Sequence, residues 1–163
     1  MEELDLINIQ IRAARPADAE MISDMVGELL REIMETINIE AFSYDHEGTV
    51  ARAKAWLMDR SYMIFLANDG SGLVGFAAFY ESRALYAQGM FGTITEFYVR
   101  VTARSKGVGA RLLDEVRQFA KTKEWKRLEV TTPPLPHFER TKAFYEREGF
   151  TVSGGRKMKA DLS

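Results

Sequence analysis

Ile7, Ile9 and Ile11 alternate with Asn8, Gln10 and Arg12, the two-residue period of a strand that buries one face. The period then changes. Arg15-Pro16-Ala17-Asp18 places a proline where the first turn of a helix tolerates it, and Ile22, Met25, Val26, Leu29, Leu30 and Ile33 recur at helical spacing. Residues 40–48 break that stripe, and Val50, Ala53, Trp56 and Leu57 predict a second helix ending near Asp59. Residues 63–67 and 73–80 read as two strands of a hairpin, because Asn68-Asp69-Gly70-Ser71-Gly72 between them is turn chemistry. Residues 82–92 are expected to be a loop, and 93–101, rich in β-branched and aromatic residues, a third long strand of this region.

From Gly107 the helical period returns in Val108, Leu112, Leu113, Val116 and Phe119 and runs to about Lys123. A short strand is predicted at 128–132. Pro133, Pro134 and Pro136 interrupt regular structure, and Phe138, Ala143, Phe144 and Tyr145 then mark a helix closed by Gly149, with a final strand from Phe150. The order β-α-α-β-β-β-α-β-α-β implies an α/β (α+β) layered fold, a mixed sheet of about six or seven strands flanked by about four helices. With 163 residues and no internal repeat or linker, the expected organisation is one domain over 1–163.

Composition narrows the partners. Lys and Arg number 22 against 24 Asp and Glu, a formal charge of -2 that gives no overall pull toward nucleic acid or anionic lipid, so an anion site must be local. The opening Met1-Glu2-Glu3-Leu4-Asp5 is acidic and lacks the basic-then-apolar pattern of a secretory leader; a cytoplasmic location is expected. The absence of cysteine excludes disulfides, thiolate metal sites and cysteine nucleophiles. His46 and His137 have no partner at ligand spacing, and no metal is expected.

The most informative stretch is Ile94-Thr95-Glu96-Phe97-Tyr98-Val99 followed by Arg104-Ser105-Lys106-Gly107-Val108-Gly109 and Leu112-Leu113: strand, glycine-bearing turn, helix. The first N–H groups of a helix lack intrahelical acceptors and carry partial positive charge, which favours a phosphate there. Glycines let it approach the backbone, and Arg104 and Lys106 add charge beside it. Other phosphate motifs fail, since no Gly-Lys-Ser/Thr string is present and the glycines lie too late for an opening dinucleotide-binding unit.

This segment resembles the cofactor-binding Arg/Gln-x-x-Gly-x-Gly/Ala motif of the GNAT (GCN5-related) N-acetyltransferase family, matched here by Arg104, Gly107 and Gly109. Phe144-Tyr145-Glu146-Arg147-Glu148-Gly149-Phe150 is similar to the family's downstream Phe/Leu-Tyr-x-x-x-Gly-Phe segment, although Phe138 and Thr141 stand where the family most often has Asn and Ala. The resemblance implies that the turn holds the pyrophosphate of acetyl-CoA. It further implies that Phe97, Tyr98 and Val99 bind the pantetheine like an added strand, with the neighbouring strand splayed away to form a V-shaped cleft.

Acetyl transfer from a thioester to an amine requires a neutral amine, a stabilised oxyanion and a proton for the departing thiolate. A lysine-like amine of pKa ~10.4 is mostly protonated at neutral pH, so some group must take its proton. Glu96 is the first candidate base, since alternation puts it on the strand face of Tyr98; the alternative is a solvated strand glutamate. Glu81, Tyr86 and His137 are held in reserve. Tyr145 is the candidate acid, or else simply packs with Phe144. Phe42, Tyr44, Asp45 and His46, between the first two helices, form either an aromatic and acidic wall for a cationic amine or a packed loop.

The expected function is direct ternary-complex transfer from acetyl-CoA to the amine of a small molecule or peptide, with no covalent enzyme intermediate, no nucleic-acid or membrane partner, and an exposed sheet edge that could support a homodimer. Two rivals stand beside it: an acetyl-CoA-binding regulatory module without turnover, and an interaction domain in which 104–109 is only a strand-to-helix turn.

Overall fold

The computed structural model describes residues 8–162; Ile7 and the acidic opening 1–5 lie outside the described residues. Packing divides the chain after Thr131 into two compact units.

In the first unit the strands β1 (Gln10–Ala13), β2 (Met63–Asn68), β3 (Leu73–Ala84), β4 (Gly89–Val99) and β5 (Leu128–Val130) lie side by side in chain order. The first three pairings are antiparallel and the last is parallel. Helices α1 (Ala19–Ile37) and α2 (His46–Met58) precede β2, and α3 (Val108–Thr122) links β4 to β5. The β2–β3 turn is closed as its composition dictates: Asn68 Oδ1 accepts from Gly70 N at 2.7 Å and Asp69 Oδ1 from Ser71 N at 2.9 Å.

Period-2 burial sorts the sheet into two packed faces. Ile64, Leu66, Phe76, Ala78 and Tyr98 meet Ile22 and Met25 of α1, the stripe set by its helical spacing. On the opposite face Phe119 of α3 stands edge-on to Phe79 at 5.4 Å and Phe65 at 6.1 Å. Each fully buried ring such as Phe76 or Phe79 stabilises this layering by roughly 2–3 kcal/mol.

The 82–92 segment is not a loop. Glu81 to Ala84 pair with Gly89 to Gly92, so β3 and β4 continue as one long hairpin around a 3-10 turn at Leu85–Ala87. Gln88 and Gly89, both at positive φ, reverse the chain there.

The second unit contains α4 (Glu139–Arg147). Its end is capped by Gly149 at φ 93, with Phe150 N donating to Tyr145 O at 2.9 Å. No strand follows Phe150, so the sheet of the described residues has five strands rather than six or seven. The segment after it offers Val152 against Gly154-Gly155-Arg156-Lys157, too few apolar side chains to bury a face. The mixed, mostly antiparallel sheet with four helices is otherwise as the sequence implies. Among the described residues no helix is long and apolar enough to cross a membrane.

Candidate functional site

β4 pairs with β5 only from Gly92–Leu128 to Ile94–Val130. Beyond Ile94 it runs on to Val99 held by β3 alone, so the other edge of 95–99 has no strand against it among the described residues. A 3-10 turn at Val101–Ala103 then leads into the glycine-bearing segment.

Ser105 at φ 63 and Gly107 at φ 84 bend that segment, and Gly107 is the N-cap of α3, with no side-chain cap bond. The first helical bond is Arg111 N to Gly107 O at 3.1 Å. The backbone N–H groups of 105–110 consequently have no acceptor among the described residues. Phe97, Tyr98 and Val99 precede the turn on β4, and Ser105, Lys106, Val108 and Gly109 lie within it or on the first turn of α3.

Arg104 is committed elsewhere. Its Nη1 and Nη2 donate to Glu32 Oε1 and Oε2 at 2.7 and 2.8 Å, its Nε donates to Val99 O at 2.8 Å, and its guanidinium lies 5.7 Å from the Tyr98 ring centre. The hydrogen-bonded Glu32 carboxylate raises the Arg104 pKa. One helical turn earlier Glu28 binds Arg100 at 3.0 Å, while Arg100 Nη1 donates to Leu73 O at 2.8 Å. Two carboxylates four residues apart on α1 thus hold both sides of the turn. Burial, then the charges of Glu28 and Glu32, push the Tyr98 hydroxyl up.

The register of β3 and β4 slips between Ala78–Glu96 and Phe79–Ile94, leaving Thr95 as the extra residue of a bulge. The bulge brings adjacent side chains together: Thr95 Oγ1 donates to Glu96 Oε2 at 2.7 Å. The Tyr62 hydroxyl donates to the same Glu96 oxygen and touches the Thr95 hydroxyl. Glu96 Oε1 makes no hydrogen bond among the described residues. Glu96 opposes Ala78 as Tyr98 opposes Phe76, which places it on the α1 face as its alternation implies. Burial and the Glu96 charge raise the Tyr62 pKa. Tyr62 stacks with Tyr80 at 6.4 Å and 14° and meets Trp56 at 5.2 Å.

Tyr62, Thr95, Trp56 and Tyr80 are absent from the sequence-based candidates. Tyr62 shares the period of Ile64 and Leu66, the one signal that could have put it on this face; its meeting with Glu96 depends on register across three strands.

The other candidates fall in varied places. Tyr145 is a buried residue of α4, with Phe144 at 5.4 Å and Phe150 at 5.5 Å, and burial pushes its hydroxyl up. Tyr44 and His46 turn onto α1, where Ser23 Oγ lies 3.0 Å from Tyr44 Oη and 3.1 Å from His46 Nδ1. Asp45 caps α2 by accepting from Gly48 N at 2.8 Å. Tyr44 and His46 therefore pack as a polar clamp on α1, while Phe42, 44% exposed, and Asp45 remain at the surface. Ser23 is 0% exposed, out of reach of any substrate. Glu81 accepts from Trp125 Nε1 at 2.9 Å, and Tyr86 lies at the hairpin tip under Arg127, 5.3 Å away. His137 is exposed in the second unit. Among the described residues no group of three or more metal-binding side chains exists.

A cleft of about 490 Å³ opens at the end of the sheet away from 104–109, bounded by Arg60, Tyr62, Glu81, Phe119 and Trp125; Glu96 is not in its lining.

The model of the acetyltransferase (GNAT) domain matches residues 60–152, more than half of the chain. An uncharacterized N-acetyltransferase, YhfO of Bacillus subtilis strain 168, is 25% identical over 147 residues, covering 90% of this chain and 93% of that protein. An integron cassette protein, HFX_CASS3, from the mobile metagenome of Cole Harbour Salt Marsh superposes with a TM-score of 0.77 at 26% identity, covering 94% of this chain and 91% of the other. A predicted acetyltransferase from Clostridium acetobutylicum, solved with acetyl-CoA, shares the fold with a TM-score of 0.76 at 17% identity, covering 93% and 96%. The chain belongs to the GNAT acetyltransferase family, and acetyl transfer is its class of chemistry.

Proposed function

We propose that the chain acts as one acyltransferase domain over 1–163, moving the acetyl group of acetyl-CoA directly to the amine of a small molecule or peptide. One observation carries this reading: the 95–99 end of β4, which no strand pairs beyond β3 among the described residues, leads into a turn whose N–H groups at 105–110 have no acceptor among those residues. A long amide-bearing arm ending in a diphosphate fits that sequence of features. The neighbour solved with acetyl-CoA has the same fold.

In this reading the backbone of Ser105, Lys106, Gly107, Val108 and Gly109 binds the pyrophosphate, with the Lys106 ammonium beside it. Phe97, Tyr98 and Val99 present the edge of β4 away from β3 to the pantetheine. Arg104 fixes the turn from behind through Glu32.

Acetyl-CoA supplies the thioester. Glu96 Oε1 takes a proton from the bound ammonium and passes it to solvent, which frees the nitrogen lone pair. It takes the second proton as the nitrogen–carbon bond forms, while Tyr62 and Thr95 hold Oε2 and so fix the carboxylate's orientation. As the carbon–sulfur bond breaks, Tyr145 hydrogen-bonds to the thiolate, or protonates it and regains a proton from solvent, and the second proton on Glu96 returns to solvent. Proton transfer from an ordinary phenol to a thiolate is uphill by roughly 2 kcal/mol. Burial raises Tyr145 further, so hydrogen-bond donation is its larger contribution. No cysteine exists to carry the acetyl group, and buried Ser23 is unreachable, which favours direct transfer.

The test is calorimetry with acetyl-CoA followed by a free-thiol assay over an amine panel, repeated with Tyr145→Phe. Binding, amine-dependent thiol release and a maximal rate lowered about tenfold or more in Tyr145→Phe are expected. Absence of binding at millimolar acetyl-CoA defeats the reading; binding without turnover leaves a regulatory module; an undiminished rate in Tyr145→Phe removes that residue's role.

A further inference from the structure

The carboxylate of Glu96 is half-buried and forms no ion pair among the described residues. Asp18, Glu28, Glu32, Glu81 and Glu129, also half-buried, each have an arginine within 4 Å, whereas half-buried Asp69 and Glu115, like Glu96, have no ion pair among the described residues; of these three only Glu96 touches an aromatic cluster. A partly desolvated carboxylate without a counter-cation is costly, and two hydroxyls on Oε2 leave Oε1 for a cationic donor.

One ring, Tyr62, touches this charge, and two more rings pack on Tyr62. Trp56 is 41% exposed and Tyr80 37% exposed, with Tyr62 between them in contact with both. Aromatic faces attract an ammonium group and stack against flat apolar bodies. Two other acidic side chains of these elements make their contacts elsewhere: Glu81 accepts from Trp125 and lies 3.8 Å from Arg83, and Asp59 accepts from Ser61 N at 2.8 Å. The ring cluster is therefore in contact with one carboxylate, Glu96, beside a broad aromatic surface.

Resting on the reading of this chain as an amine acetyltransferase, we infer that its acceptor is a monocationic amine carried on a flat, apolar body, with the ammonium at Glu96 and the body against Trp56 and Tyr80. An acceptor with several ammonium groups would bring in charges that meet no partner here.

The experiment compares kcat/KM for 2-phenylethylamine, tryptamine, butylamine, spermidine and kanamycin, using wild type, Trp56→Ala and Trp56→Phe, with thermal unfolding as the control for folding. The two aryl amines should exceed butylamine by roughly tenfold or more, and the polycations should be the poorest. Trp56→Ala should erase the aryl preference by raising KM for the aryl amines about tenfold more than for butylamine, and Trp56→Phe should restore part of it. Equal rates with butylamine, preference for spermidine or kanamycin, or an equal loss for all amines in Trp56→Ala overturns the inference.

If no amine releases thiol, the acetyltransferase reading has failed separately. Calorimetric titration of 2-phenylethylamine into the protein with CoA then decides the inference: binding that Trp56→Ala weakens about tenfold supports it, and no binding overturns it.

Discussion

Arg104 spans two elements at once: its fork lies on both oxygens of Glu32 in α1 while its Nε holds the carbonyl of Val99 at the end of β4. A lysine has one ammonium and cannot reproduce three bonds in a plane. Arg104→Lys should raise KM for acetyl-CoA severalfold with a smaller change in kcat, since the turn loses its anchor and the reacting groups are untouched. A double-mutant cycle with Glu32→Gln, read by denaturant unfolding, should give a coupling of about 1 kcal/mol, modest because both side chains are partly solvated.

Glu96 and Tyr62 should separate in kinetics. Glu96→Gln removes the proposed proton acceptor and should lower kcat/KM roughly a hundredfold while leaving acetyl-CoA affinity unchanged. Tyr62→Phe keeps the carboxylate and removes one of its two donors. A loss of about tenfold, with acetyl-CoA affinity retained, is expected from steady-state assays.

Gly75 faces Val99 across the β3–β4 pairing, and a Cβ there would sit 2.7 Å from the carbonyl oxygen of Tyr98. Backbone cannot yield as a flexible side chain does. Gly75→Ala should destabilise the protein by about 1–3 kcal/mol in thermal or urea unfolding and weaken acetyl-CoA binding, because the strain falls where β4 approaches the turn.

Asp18 accepts both nitrogens of the Arg12 fork and the N–H of Arg15, and the Arg12 hydrogen bonds lead in holding its pKa down to about 2. Its folded pKa lies below the ordinary value of about 3.9, so the folded state binds the proton less readily. The stabilisation is present above pH ~4 and is lost as pH falls toward 2. Asp18→Asn should lower stability at pH 7 by roughly 1 kcal/mol and flatten the dependence between pH 4 and 2, as chemical denaturation at a series of pH values will show.

Much of this arrangement was readable in the chain. The stripe Ile22, Met25, Val26 and Leu29 defined α1, and Asn68 to Gly72 defined the first hairpin, because each carries its cause within a few residues. The continuation of β3 and β4 through 82–92 was not readable: its alternation is masked by exposed residues on both faces, and pairing rather than burial makes it a strand. Thr95 was equally silent. A bulge is a mismatch between two strands, and neither strand's own pattern contains it. The ring cluster at Glu96 needs Trp56, Tyr62 and Tyr80 brought together from α2, the approach to β2, and β3. Conversely, Tyr44 and His46 had suitable chemistry for an open wall, but Ser23, small and one helical face away, draws them inward.

The last rung between Ile94 and Val130 has a further effect on the protein in a test tube. Peptide groups on a margin that no strand covers among the described residues can accept an extended segment, including one from a second copy of the same chain. A guest lying along that margin blocks such stacking while adding its own binding energy to the native state. Adding CoA to concentrated samples should therefore suppress self-association and raise the melting temperature together, two gains from filling one gap.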